Sequence, residues 1–210
     1  VEEIMSGKFI SLEGVEGAGK STQVSFIHDC LKSLGKTVVV TREPGGTELS
    51  EKIRNLLLEP SPIAMANDTE LLLMFASRAE HISQVIYPAL HRGDWVLCDR
   101  FHDATYAYQG GGRGIQRQRI QQIADWTLRG LIPDLTLLFD LPVELGLKRV
   151  IERQGTTDRF EREKVDFFKK IRKSYLQSAK AEPNRIKIVD ASLSITEIQK
   201  QLTQLLKPLI

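Results

Sequence analysis

The chain has 210 residues, 41% of them hydrophobic and 27% charged, which suits one domain of ordinary globular composition. Lys and Arg total 29 against 27 Asp and Glu, a net charge of +2, which argues against a protein built to grip duplex DNA or an anionic membrane. Two cysteines, Cys30 and Cys98, cannot build a disulfide framework and lack metal-ligand spacing, so a reducing compartment is expected.

At the N-terminus, Val1-Glu-Glu-Ile-Met5 is acidic where a secretory signal would be basic, and no apolar core follows. A cytoplasmic location is therefore expected, with Met5 as the natural start. Phe9–Glu13 is the first short apolar run, without strict polar alternation, as in a strand buried on both faces. It leads into Gly14-Val15-Glu16-Gly17-Ala18-Gly19-Lys20-Ser21, the pattern G-x-x-x-x-G-K-[ST], which opens a helix predicted over 20–34. Between a strand and a helix, that pattern predicts an ATP-phosphate cradle running from Gly14 to Thr22. Glycines let backbone N–H groups close round phosphate oxygens, and the helix N-terminus adds positive potential. Lys20 can reach the β- and γ-phosphates, and the Ser21 hydroxyl can ligate Mg²⁺.

The next strand is predicted at Thr37–Thr41, followed by helices over 47–58 and 67–91. A third strand, Trp95–Asp99, ends on a carboxylate placed to hold magnesium through water. Then come a helix over 115–129, a strand at Leu135–Asp140, helices over 143–153 and 161–181, a strand at Ile186–Asp190 and a helix over 194–206. This alternation predicts a parallel sheet wrapped by helices on both faces, in one domain. Ligands of such sheets sit at the carboxyl ends of the strands, which here carry Glu13-Gly14, Thr41-Arg42-Glu43, Asp99-Arg100 and Asp190-Ala191.

A phosphate cradle alone leaves the activity open. N-K-x-D and D-x-x-G are absent, which disfavours a GTPase switch, and the chain is short for a remodelling ATPase. Residues 148–173 hold ten Lys/Arg against five Asp/Glu, and Arg42, Arg100, Arg149, Arg153 and Arg159 lie near strand ends and loops. Such a surplus fits phosphoryl transfer, in which donor and acceptor phosphates repel and the moving group spreads negative charge.

Five stretches carry a resemblance: Glu16-Gly-Ala-Gly-Lys-Ser-Thr22, Thr41-Arg-Glu-Pro-Gly-Gly46, Met74-Phe75-Ala-Ser-Arg78, Asp99-Arg100-Phe101 and Thr105-Tyr-Ala-Tyr108-Gln-Gly-Gly-Gly-Arg-Gly114. In order and spacing they resemble the thymidylate (dTMP) kinases over nearly the whole chain. The resemblance implies a P-loop, nucleoside monophosphate kinase-like three-layer fold with a five-stranded parallel sheet of order 2-3-1-4-5. It also implies the reaction ATP + dTMP → ADP + dTDP with Mg²⁺, on a homodimer.

By the same resemblance, Arg42 and Arg100 would hold the dTMP phosphate, a task suited to forked guanidinium groups. Glu16 would accept a hydrogen bond from the sugar 3′-hydroxyl. Phe75 and Arg78, three apart on one helix face, would stack on thymine and donate to a ring carbonyl. Thr105 would meet the base edge, and Tyr108 would crowd the 2′ position. Gln109 joins the dTMP set, and the glycines after it would allow a tight turn. Family members place the catalytic arginine either in the P-loop or in a lid. Position 17 is glycine, so the lid at about 148–160 would supply it. Arg153 is the first candidate; Arg149 is the second, or a contact to the donor phosphates or adenine. Arg159 could substitute for either, and Asp190-Ala191-Ser192 would border the adenine.

Phe101 stands where Tyr or His is frequent, and Tyr106 where some relatives carry a polar residue. The attacking oxygen belongs to an already ionised phosphate, so no general base is required. Two alternatives stay open: another deoxynucleoside (mono)phosphate kinase, with Glu43 as base, and a nucleotide-gated binding module.

Overall fold

Five apolar runs become five parallel strands in a computed structural model that describes residues 6–152 and 158–210. The expected start at Met5 and the candidate Arg153 lie outside the described residues. The strands are β1 (Phe9–Glu13), β2 (Val38–Arg42), β3 (Trp95–Asp99), β4 (Leu135–Asp140) and β5 (Ile186–Asp190), in the order β2-β3-β1-β4-β5. The register sets Leu12 of β1 beside Asp99 of β3, and Arg42 of β2 beside that same Asp99. Three strand ends thus deliver Glu13, Arg42 and Asp99 to one edge. The central strands are buried, whereas the edge strands expose Val40 and Ile188, as the position of each in the sheet requires.

Nine α-helices are described: α1 (Lys20–Ser33), α2 (Glu48–Leu58), α3 (Asn67–His81), α4 (Tyr87–His91), α5 (His102–Thr105), α6 (Arg117–Leu128), α7 (Val143–Glu152), α8 (Val165–Ala181) and α9 (Ile195–Leu206). One hydrophobic cluster joins Phe9, Val96 and Cys98 of the sheet to α3, α4 and α6. The other joins Ile10, Leu12 and Leu97 to α1, α8 and α9. Successive strand residues thus serve opposite faces, which makes three layers. No described helix is long and apolar enough to cross a membrane.

The helix expected over 67–91 is α3 and α4 joined by a π-turn at Ile82–Ile86. A segment assigned no helix or strand from the sequence, residues 102–112, is also helical: α5 runs into a π-helical turn, Tyr106–Gly112. Its glycines make a close helix contact, not the expected tight turn. A Cβ on Gly111 would lie 2.7 Å from Cβ of Ser174 and 3.0 Å from the carbonyl oxygen of Lys170, both on α8. Packing against α8 overrides the poor helix propensity of three consecutive glycines.

Candidate active site

The loop between β1 and α1 encircles one end of a cleft of about 580 Å³. Glu16 to Thr22 line it, while Gly14 leads into the loop and the Val15 side chain is buried in the core. Gly17 has φ +73, and a Cβ there would stand 2.0 Å from the carbonyl oxygen of Gly146 on α7. The loop therefore lies directly on α7, and no side chain fits at that position. Lys20 is buried and donates to the Gly14 carbonyl at 3.2 Å. Burial and the Arg100 charge lower its pKa, opposed by Asp99, Glu16 and Glu13. At the end of the neighbouring strand β3, Asp99 presents a buried Oδ1 with no hydrogen-bond partner, and Ser21 lines the same cleft. Arg149, on α7, donates to the carbonyls of Ala191 (3.1 Å) and Gly17 (3.4 Å), so it ties the loop after β5 to the phosphate loop. Ser192 caps Asp190 through backbone and hydroxyl at 2.9 and 2.5 Å.

Beside the phosphate loop the cleft wall is cationic. Arg100 donates to Glu16 Oε1 at 2.5 Å and to the Tyr108 hydroxyl at 3.2 Å, and that hydroxyl donates to the same Glu16 oxygen at 3.0 Å. Burial would raise the Glu16 pKa, but the charges of Arg100 and Lys20 and these hydrogen bonds overcome it and bring it to about 2. Arg42 lines the cleft from edge strand β2, with its guanidinium paired to Glu51 at 2.8 Å. A third guanidinium, Arg54 of α2, went unread in the sequence; it donates to the Pro44 carbonyl at 2.7 Å. Burial lowers its pKa, and the charges of Arg42 and Arg100 lower it further, as expected of three cations gathered at one spot.

In the same cleft, Arg78 projects from α3 with 2% of its surface exposed. It donates to Glu43 (2.7 Å), the Thr105 hydroxyl (2.9 Å) and the Phe101 carbonyl (3.1 Å). The other Glu43 oxygen pairs with His81 Nδ1 at 2.9 Å, and His81 Nε2 meets the Thr41 hydroxyl at 2.7 Å. Burial raises the Glu43 pKa, but Arg78 and His81 reverse that and hold it below the ordinary value. Both Glu43 oxygens are thus engaged by Arg78 and His81, which leaves neither free to take a proton from an acceptor hydroxyl.

Phe75 departs from its expected place. It is 3% exposed, belongs to the core beneath α3 and lies 5.0 Å under the Arg78 guanidinium, while Met74 reaches the cleft wall. Met74 and Arg78 are four apart and share the cleft face of the helix, whereas Phe75 is turned about 100° from Met74. Gln109 lines the cleft and donates to Glu70 at 2.8 Å. Glu70 also pairs with Arg113 (3.2 Å) and with Arg159 (2.7 Å), and Arg159 further donates to the Leu57 carbonyl at 2.7 Å. Arg159 is thus occupied with a buried carboxylate, which corrects its expected role as a stand-in catalytic arginine. Among the described residues, no cluster of three His, Cys, Asp or Glu side chains forms a metal centre.

A family model described as Thymidylate kinase matches residues 12–202. The chain is 56% identical over 206 residues to the thymidylate kinase of Pseudomonas savastanoi pv. phaseolicola (strain 1448A / Race 6), covering 98% of each protein. It is 53% identical over 203 residues to the thymidylate kinase of Ruthia magnifica subsp. Calyptogena magnifica, covering 97% of this chain and 98% of that one. Among solved structures, thymidylate kinase from Ehrlichia chaffeensis matches with a TM-score of 0.76 at 32% identity, over 95% of this chain and 98% of that chain.

Proposed function

The chain belongs to the thymidylate kinase family and phosphorylates dTMP to dTDP with ATP; from that premise we propose how its residues divide the work. The observation that carries the assignment is one cleft lined both by the phosphate loop and by Arg42, Arg54 and Arg100, with Arg100 bonded directly to Glu16 of that loop. The loop N–H groups, the N-terminus of α1 and Lys20 hold the donor phosphates. The three arginines hold the acceptor phosphate against its repulsion from the donor. In-line positioning and charge stabilisation then suffice, since the attacking phosphate oxygen is already ionised.

Glu16, ionised with a pKa of about 2, accepts the sugar 3′-hydroxyl, and Tyr108 beside it blocks a 2′-hydroxyl. Arg78, already fixed by three bonds, presents its remaining N–H groups to a thymine carbonyl. Met74 lies along the base, Phe75 supports Arg78 from behind, and Thr105 and Gln109 close the pocket edge. Arg149 serves the ATP side and Arg153 the transferring group, within a lid at about 148–160 of a single domain. Asp99, with its unpartnered buried oxygen, and Ser21 fit a magnesium site. These two residues would hold Mg²⁺, which would supply neutralisation of the charge on the donor phosphates. A homodimer and a cytoplasmic location complete the reading; exposed Leu72 and Trp126 support the first and two free thiols the second.

The test is ADP release from ATP-Mg²⁺ with dTMP, dUMP, dCMP, dGMP, dAMP, UMP and thymidine as acceptors. Strong preference for dTMP with thymidine inert is expected. If thymidine turns over well, the arginine cluster is not an acceptor-phosphate site. If another monophosphate wins, the roles given to Met74 and Arg78 are wrong.

A further inference from the structure

Glu13 ends β1 one residue before the phosphate loop, is fully buried, and has no part in the mechanism above. Its Oε1 accepts from the Phe101 N–H at 2.7 Å, and its Oε2 accepts from the Tyr175 hydroxyl of α8 at 2.7 Å. The first bond holds the residue directly after Arg100. Arg100 has φ +69, a left-handed backbone that a non-glycine residue keeps only where its surroundings over-determine it. The Arg100 N–H donates to Leu12 O at 2.9 Å, and the Cys98 thiol donates to Arg100 O at 3.0 Å. The backbone on both sides of the Arg100 Cα is therefore fastened to consecutive residues of β1, Leu12 and Glu13, on the strand that also launches the phosphate loop.

We infer that Glu13 is a positioning residue: by clamping the Phe101 amide it fixes the Arg100 turn, and so sets the acceptor-phosphate guanidinium relative to the donor loop. This rests on the reading of Arg100 as an acceptor-phosphate ligand. The charged and titratable groups facing Glu13 are Asp103 of α5, Tyr175 of α8, Arg100 and Cys98 at the end of β3, and Lys20 of α1. Burial, then the Asp103 charge, raise its pKa to about 8, against the pull of Tyr175, the Phe101 amide and Arg100. Near neutral pH the Oε2 proton can make the Tyr175 bond in the reverse sense, so the clamp on Phe101 is kept. Ionisation at higher pH adds a negative charge beside Arg100 and opposes phosphate binding.

The experiment is steady-state kinetics on Glu13→Ala, Glu13→Gln, Tyr175→Phe and Arg100→Ala between pH 6 and 9.5, with melting curves for each. Glu13→Ala is expected to lower kcat/KM for dTMP by about tenfold or more while KM for ATP stays within about twofold. Glu13→Gln, whose amide oxygen can still accept from Phe101, is expected to recover most of that loss. It should also lack the fall in kcat/KM for dTMP that is expected of the parent above pH about 8. Tyr175→Phe, which removes a bond favouring the ionised form, moves that fall to higher pH and keeps the test alive should Glu13→Ala not fold. Equal damage to dTMP and ATP kinetics, no rescue by Gln, or an unchanged pH fall in Glu13→Gln and Tyr175→Phe would each overturn the proposal. If Arg100→Ala leaves KM for dTMP untouched, the acceptor-site reading itself falls; if only the Glu13 variants are silent, the positioning role alone is lost.

Discussion

The positive φ of Gly17 and the Gly146 carbonyl, 2.0 Å from where a Cβ would be, have a consequence for how this enzyme arranges positive charge. Some members of the family carry an arginine at this loop position, and transplanting it is an obvious way to add a cation near the transferring phosphate. Here the substitution must first push the loop off α7. Misplacement of catalytic groups by about 1 Å costs on the order of 10²-fold in rate. Gly17→Arg is therefore expected to lower kcat/KM for ATP by roughly 10²-fold, even with Arg153 intact. Kinetics alongside a melting curve check it, and a well-folded variant with unimpaired ATP kinetics would show that the loop can shift freely. Position 17 was legible in the sequence as glycine; the reason it must be glycine was not. The opposing carbonyl belongs to Gly146, 129 positions away, and only the fold brings the two together.

At the scale of elements, the segment from His102 to Gly112 shows how packing builds the acceptor pocket. Tyr108 and Gln109 reach the cleft because the π-helical turn lies against α8, and Gly111 permits that approach. Gly111→Ala places a methyl group 2.7 Å from Cβ of Ser174, an overpacking that costs about 1–3 kcal/mol. For a chain of this length the melting temperature is expected to fall by roughly 2–12 °C. KM for dTMP should rise more than KM for ATP, because the displaced turn carries the sugar-side residues and not the phosphate loop. Calorimetry and paired KM measurements test this, and a parent-like KM for dTMP would uncouple the turn from the pocket. The same scale separates what sequence reveals from what it hides. Contiguous strings such as the phosphate loop and Asp99-Arg100 are read directly, because their function lies in consecutive backbone. Helix faces are less forgiving. Counting three residues back from Arg78 gives Phe75, which is core, while counting four gives Met74, which lines the cleft. Arg54 escaped for a similar reason: it stands on α2 without a motif of its own, and only the packing of that helix beside Pro44 aims it inward.

Over the whole molecule, the strand order puts β1 between β3 and β4, so the phosphate loop and Arg100 rise from neighbouring strands at one sheet edge. Alternating apolar runs and helices made that layering readable. Quaternary structure was less so, because an apolar helix over 67–91 serves a core as well as an interface. Most apolar residues of α3 and α4 face inward, but Leu72 of α3 and Trp126 of α6 remain 57% and 77% exposed, on helices that pack side by side. A large aromatic left this open suits an interface anchor, since tryptophans dominate the residues that hold protein pairs together. If the proposed homodimer uses this face, Trp126→Glu introduces two unpaired charges at a two-fold contact and removes two anchors. Each lost anchor costs about 2 kcal/mol, so the two together are expected to raise the dimer dissociation constant by roughly 10³-fold. Sedimentation analysis over a concentration series measures this. A monomeric Trp126→Glu that still melts like the parent places the interface on α3 and α6. A variant that stays dimeric at the lowest concentrations moves the interface elsewhere, and a parent that is itself monomeric ends the homodimer reading.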